Sequence, residues 1–333
     1  MLEDINDYFK QQKLASFRFS QLESFIYEQS IIDFDQITVF NKELRKELKD
    51  KFKISSLTLK DQYVSQDCIK FLLETLDANI IEVVLLKHKD NRNTLCVSTQ
   101  IFCPLKCKFC ATGAQKFQRN LNENEIISQI LIVNNILKNE NEKITNIVFM
   151  GMGEPFLNYQ NLIKSLKIIN EKIKIGARHI TVSTAGIVPR IIDFADLMTQ
   201  ITLAISLHAP NDELRSELMP INDKYNLCEL FKSIDYYIEK TKRRVSFEYV
   251  LIKDVNDSVK CANQLSSLLK NRLSHVNLLI YNPHPFADFK KPSIEKVTQF
   301  KEILESNNIN VSIRKSLGDE LSGACGQLAG SKK

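Results

Sequence analysis

Residues 94–113 read TLCVSTQIFCPLKCKFCATG, and the reading of this stretch decides the fold. Thr94–Thr99 is a short, β-branched and apolar run of strand character, and it feeds the chain into Cys103, Cys107 and Cys110, a CxxxCxxC loop. Upstream the texture differs. From Glu3 to Lys53 apolar residues recur at helical spacing, as in FSQLESFIYEQSI, which predicts a small helical domain. Ile54–Leu59 and Ile80–Leu86 predict strands, and KHKDNRN predicts a turn leading into Thr94. Downstream, strand and helix alternate. β-Branched segments occur at Ile144–Met150, Ile180–Ser183, Thr202–Ser206, Val245–Leu251 and Val276–Tyr281. Helical patterns lie between them, at 160–171, 225–240 and 257–270, and Asn122 with Glu125 three residues on predicts a capped helix over IISQILIVNNIL. Six βα units and a closing strand at Val311–Arg314 predict an α/β chain built on a parallel barrel or an incomplete one. The expected division is a helical accessory domain over 1–75 with connecting strands to about 91, a barrel over 92–315, and a C-terminal segment over 316–333. In parallel barrels function sits at the carboxyl ends of the strands. The polar groups falling there are Gly153-Glu154, Ser183, Ser206-Leu207-His208 and Asn282.

Composition narrows the function classes. A chain of 333 residues with 44% hydrophobic and 26% charged residues is neither disordered nor fibrous. Its net charge of +5 permits RNA binding without requiring it. The basic run Lys42, Arg45, Lys46, Lys49, Lys51 and Lys53 is read either as a solvated helix face or as an RNA-contacting one. The opening MLEDINDYFK is acidic and lacks signal-peptide character, and Glu82 interrupts an apolar run far shorter than the ~20 residues of a membrane span. A cytoplasmic protein is expected. Its eight cysteines then read as metal-binding, catalytic or buried before they read as a disulfide framework.

Fe–S clusters are normally held by four cysteines, so three on one loop imply a [4Fe–4S] cluster with one iron left open. Zinc is the alternative, but it usually takes four ligands as two short-spaced pairs, and only Cys107 and Cys110 make such a pair. Gly151-Met-Gly-Glu-Pro155 superficially resembles a dinucleotide loop. It fails that test because the third glycine of GxGxxG would be residue 156, a Phe. Glycines with a carboxylate at a strand end suit close backbone approach to a ligand whose ammonium Glu154 accepts.

CxxxCxxC followed by a barrel and the GMGEP turn resembles the radical S-adenosylmethionine enzymes. The longer motifs NIVFMGMGEPFLN, ITVSTAGIVP, LAISLHAPNDELRSELMPIN, EYVLIKDVND, NLLIYNP and GACGQLAG narrow the resemblance to the dual-specificity ribosomal and transfer RNA adenine-C2 methyltransferases. The resemblance runs from the helical N-terminal piece to the C-terminus. It implies a partial (βα)6 TIM-like barrel with a small helical N-terminal accessory domain, a cluster on Cys103, Cys107 and Cys110, and S-adenosylmethionine contacts from Gly153, Glu154, Ser183, Ser206, Leu207, His208 and Asn282. Adenine C2 is an electron-poor carbon with a non-acidic C–H, so it cannot attack a methyl cation donor directly, and a radical route is required. By resemblance, Cys325 first takes a methyl group from one S-adenosylmethionine. A second S-adenosylmethionine is cleaved to a 5′-deoxyadenosyl radical, which removes hydrogen from the S-methyl group. The carbon radical adds to C2, Glu82 accepts the C2 proton, and Cys96 attacks the Cys325 sulfur to release the RNA, leaving a Cys96–Cys325 disulfide for reductants to reopen.

The implied partners are 23S rRNA, tRNA and an electron donor such as flavodoxin or ferredoxin, with the chain a monomer. Taken alone, Glu82 reads as an edge or solvent-facing residue, Cys325 as a small buried hydrophobe, Cys96 as core, and Cys68, Cys228 and Cys261 as structural thiols. Tyr281 stands where the family commonly has Trp, and Leu317 where it has Arg. Two other readings compete: a C8-specific rRNA methyltransferase, which Pro155 disfavours, and a non-catalytic metal-containing RNA-binding protein.

Overall fold

The computed structural model describes residues 2–314 and 317–329. Three helices open the chain: α1 (Leu2–Gln11), α2 (Ser16–Tyr27) and α3 (Lys42–Lys51). They bury Ile5, Phe9, Leu22, Ile26 and Leu48. Asn41 caps α3 by accepting the Leu44 N–H, satisfying one of the donors that a helix start leaves open. Lys49 on this helix pairs with Asp33 and Asp35, so part of the basic run is engaged within the domain. Lys42, Lys46 and Lys53 are exposed.

Next come strands β1 (Leu57–Val64), β2 (Cys68–Thr75) and β3 (Ile80–Lys87), an antiparallel meander. β4 (Asn93–Cys96) runs antiparallel to β3 and begins the parallel part. After a small ribbon of β5 (Gln100–Ile101) and β6 (Arg119–Asn120), the remaining strands are β7 (Asn146–Phe149), β8 (Ile180–Thr184), β9 (Thr202–Ser206), β10 (Val245–Leu251), β11 (Ser274–Ile280) and β12 (Val311–Arg314). The main sheet has ten strands in the order β1-β2-β3-β4-β7-β8-β9-β10-β11-β12, parallel from β4 onward. Its crossovers carry α5 (Glu123–Lys138), α6 (Tyr159–Glu171), α7 (Val188–Asp196), α9 (Leu227–Thr241), α10 (Val259–Leu269) and α11 (Ile294–Ser306), with short α4 (Ala111–Ala114) and α8 (Asp212–Leu218) at the strand ends. α5 starts in the capping box expected of Asn122 and Glu125.

The partial barrel and helical N-terminal piece are as expected, with one difference. Helix stops at Lys51, and from Leu57 the chain extends the barrel's own sheet, including β2, which the sequence reading passes over. Among the described residues, no helix is long and apolar enough to cross a membrane.

Candidate active site

The cysteine loop leaves β5 through Phe102 and Lys106, both in left-handed backbone (φ 61° and 55°), which turn it back over the strand ends. The Cys110 N–H donates to the Cys107 carbonyl at 3.1 Å, and the loop passes straight into α4. From outside, the Lys108 N–H donates to the Leu218 carbonyl at 3.0 Å, and the Phe109 ring meets His208 edge-on at 4.7 Å. Burial pushes the Cys103 thiol up to about 12, and lifts Cys107 well above its ordinary value with Cys110 and Cys103 adding to the effect. The three thiols therefore sense one another. Among the described residues no three His, Cys, Asp or Glu side chains converge tightly enough to grip one ion. A cluster asks only that each thiolate reach a different iron.

Two strand ends face this loop. Gly153 has φ +103°, and a Cβ there would lie 2.5 Å from the Gln100 Cβ, so only glycine fits. The Glu154 N–H donates to Gln100 Oε1 at 2.8 Å. Its carboxylate accepts the Phe156 N–H at 2.9 Å and the Ala185 N–H at 2.7 Å, and burial raises its pKa to about 7. One lone pair on each oxygen is thus taken by backbone. Ser183 and Ser206 sit on adjacent strands with hydroxyls 3.4 Å apart. The Leu207 and His208 N–H groups both donate to the Glu248 carbonyl, at 3.0 and 3.3 Å. His208, at φ 56°, accepts the Val250 N–H on Nδ1 at 3.0 Å. Burial, with Arg215 second, lowers its pKa to about 3, so the ring is neutral and, with Nδ1 accepting, carries its proton on Nε2.

The C-terminal segment crosses from this loop to β3. The Ala111 N–H donates to the Gly326 carbonyl at 2.8 Å, and the Thr112 hydroxyl to the Leu328 carbonyl at 2.5 Å. Gly326 has φ +85°, with the Phe109 carbonyl 3.3 Å from where a Cβ would stand. Asn282 Nδ2 donates to the Cys325 carbonyl at 3.3 Å, and the Ala329 N–H donates to Glu82 Oε2 at 3.2 Å. Cys325 is open to solvent, yet its charged neighbours come from β10, β12 and the cysteine loop, so it opens onto the barrel's inside. Burial among these groups, with Glu248 the leading charged one, pushes its thiol to about 11. Cys96 is buried, its pKa raised by burial and then by Cys325.

Register places the third group. Val84 pairs with Cys96, so Val84, Glu82 two residues back and Cys96 share one face. Glu82 is only 1% exposed on a strand paired on both sides, which corrects the edge or solvent-facing reading. Cys325 is the opposite case: the isolated reading as a buried hydrophobe gives way to an exposed residue, although its thiol is enclosed among the groups named above. All eight cysteines are free, so no Cys96–Cys325 bridge is present in this structure.

Two residues escape the sequence reading. Lys70 on β2 lies on the same face, its Nζ 3.7 Å from Glu82. Arg215, wholly buried on α8, donates to the Leu207, Ala185 and Ser206 carbonyls and to Asn222 Oδ1. In sequence both look like ordinary surface charges.

A parallel partial barrel with three thiols at the end of its first parallel strand defines a radical S-adenosylmethionine protein. The model of the radical SAM superfamily matches residues 97–260, and that of the ribosomal RNA large subunit methyltransferase N-terminal domain matches residues 1–54. The chain is 47% identical to the probable dual-specificity RNA methyltransferase RlmN of Caldanaerobacter subterraneus subsp. tengcongensis and 46% identical to that of Carboxydothermus hydrogenoformans. In both cases the match covers 98% of this chain and 95% of the relative. A crystal structure of a radical SAM methyltransferase from Sphaerobacter thermophilus superposes with a TM-score of 0.95 at 40% identity, over 99% of this chain and 98% of that one. The chain belongs to the RlmN family of radical SAM RNA methyltransferases.

Proposed function

We propose that this RNA methyltransferase places a methyl group on C2 of adenosine in 23S rRNA and in tRNA, with Cys325 as methyl carrier and Cys96 as the thiol that releases the product. The observation that carries this reading is the placement of the Cys325 segment. Hydrogen bonds pin it to the cysteine loop at one end and to Glu82 at the other, while its thiol opens onto the barrel beside Cys96.

The residues fit the implied cofactors. Cys103, Cys107 and Cys110 would hold the cluster, and the Gly153-Glu154 turn, Ser183, Ser206-Leu207-His208 and Asn282 would contact S-adenosylmethionine. Asn282 Oδ1 is buried without a hydrogen-bond partner in the structure, an acceptor suited to a ligand N–H. When bound, the pair supplies a carbon radical able to take hydrogen from a methyl group. The chain's own groups do the rest. Cys325 loses its proton to become the sulfur nucleophile and then keeps the carbon attached to the protein. Glu82, beside the Lys70 ammonium, takes the proton that adenine C2 gives up. Cys96, giving up its proton, attacks the Cys325 sulfur and forms an S–S bond as the C–S bond to the product breaks; the electron pair of that bond stays on the carbon, which takes a proton to become the methyl group, so the two thiols are oxidised as the carbon is reduced. The helical domain and its exposed lysines supply phosphate contacts for RNA. An external one-electron donor such as flavodoxin or ferredoxin reduces the cluster, in a monomer working in the cytoplasm.

Mass spectrometry of nucleosides after incubation with 23S rRNA and with tRNA tests the assignment. 2-Methyladenosine from both substrates is expected. An 8-methyladenosine product would assign the chain to C8 chemistry instead.

A further inference from the structure

Among the described residues Arg215 is the largest wholly buried side chain, at 0% exposure. Its four hydrogen-bond partners are the Leu207, Ala185 and Ser206 carbonyls and Asn222 Oδ1, at 3.2, 2.6, 3.3 and 2.9 Å, and all are neutral. Hydrogen bonds of this kind satisfy the N–H groups but leave the charge; the Asp212 carboxylate meets it only at one remove, through Asn222, whose Nδ2 donates to Asp212 Oδ1 at 3.0 Å, and burying a charge without an opposite one in direct contact is costly. The surroundings show where the opposite charge belongs. α8 lies against the cysteine loop: the Lys108 N–H donates to the Leu218 carbonyl, and Leu218 and Met219 share an apolar cluster with Leu105, Cys107 and Phe109. The relation is reciprocal. Once ionised, Cys107 favours the Arg215 charge ahead of Asp212, and Arg215 in turn favours the Cys107 thiolate. Burial lowers the guanidinium only to about 10, so it stays charged near neutral pH. The Glu154 carboxylate facing the same thiols lies across the Ala185 peptide, whose N–H goes to Glu154 and whose carbonyl goes to Arg215.

We propose that Arg215 is the internal counter-charge of the three-thiolate cluster site, a positioning residue that locks the strand ends and makes the bound cluster easier to reduce. One-electron reduction adds a negative charge to the cluster. A fixed cation in a water-poor surrounding stabilises that added charge more than the oxidised state. The inference rests on the cluster assignment above.

The test is a potentiometric titration of the reconstituted cluster, reduced stepwise with dithionite and followed by electron paramagnetic resonance. Wild type is compared with Arg215→Lys, Arg215→Met and Asn222→Ala. Arg215→Met is expected to have a more negative potential, its reduced-to-oxidised ratio at the wild-type midpoint falling at least tenfold, which for one electron is about 59 mV. Arg215→Lys keeps the charge and stays near wild type. Asn222→Ala loosens the guanidinium without removing its charge, and also stays near wild type. If Arg215→Met does not fold, Arg215→Gln, which retains two N–H donors, replaces it with the same expectation. An unchanged potential in the uncharged variant overturns the proposal. So does an equal shift in Asn222→Ala, which would make the effect one of packing. Wild type that takes up no cluster would instead overturn the cluster assignment itself.

Discussion

Cys96, Cys103, Cys107 and Cys325 sit where burial opposes ionisation, and this shapes what can be measured. Cys103 is pushed to about 12 and Cys325 to about 11, so neither is a ready thiolate near neutral pH. Iron would draw the proton off a ligand thiol, whereas Cys325 must lose its own on attack. Replacing Cys103, Cys107 or Cys110 by Ala should abolish the iron-dependent absorbance of reconstituted protein and all methylation. Full methylation by any single variant would contradict the ligand set. His208 offers a pH test. Its folded pKa of about 3 lies below the unfolded value of 6.5, so the unfolded state binds the extra proton between them. The stability that neutral His208 contributes is complete above 6.5 and lost as pH falls toward 3. Glu154, raised to about 7, has the opposite slope, but it cancels when two variants are compared. The unfolding free energy of wild type minus that of His208→Gln should therefore drop by about 1.4 kcal/mol per pH unit from 6.5 to 4.5. A pH-independent difference in urea denaturation would show that His208 is not buried neutral. At this scale cysteines were legible because their spacing carries chemistry. Arg215 and Lys70 were not, because in NDELRSEL and CIKFLLET they read as the ordinary charges with which helices and strands meet water.

Among the elements, the parallel strands were legible because each apolar run is bounded by polar turns and followed by a helical period. The β1–β3 meander was legible only in part. β1 reads LTLKDQYV, a polar edge whose outer residues are mostly exposed, while the buried β2 follows a short polar turn without glycine or proline to announce it. The consequence concerns truncation. A protein lacking residues 1–53 loses only the helices and should keep its sheet and its cluster, yet lose methylation of folded RNA. One lacking residues 1–75 also loses β1 and β2, uncovering the length of β3 that carries Glu82. It should be largely insoluble, because a long apolar edge strand pairs with other chains. Soluble yield and iron content check this. Equal solubility of the two truncations would contradict the sheet order, and undiminished methylation by the shorter one would remove the helical domain from RNA recognition.

Over the whole molecule, a parallel barrel holds the residues proposed to contact the cofactor at its strand ends, while the proposed methyl carrier arrives on a loop-like segment from the far end of the sequence. That arrangement explains why the tail's role was readable only by resemblance. GACGQLAG has no period of its own, and its position comes from long-range bonds between residues 111 and 326, 112 and 328, and 82 and 329. It also gives the two cysteines different settings: Cys325 is exposed and Cys96 is buried on a strand, as the proposed carrier and releasing thiol would require. Losing one or the other should therefore fail in different ways. The most direct test incubates Cys96→Ala, Cys325→Ala and the double variant with RNA, S-adenosylmethionine and reductant, then resolves them on a denaturing gel. Cys96→Ala can load and transfer carbon but cannot break the link, so it should accumulate a nuclease-sensitive covalent protein–RNA band that neither variant lacking Cys325 shows. Normal turnover by Cys96→Ala, or an adduct in Cys325→Ala, would contradict the two-thiol account.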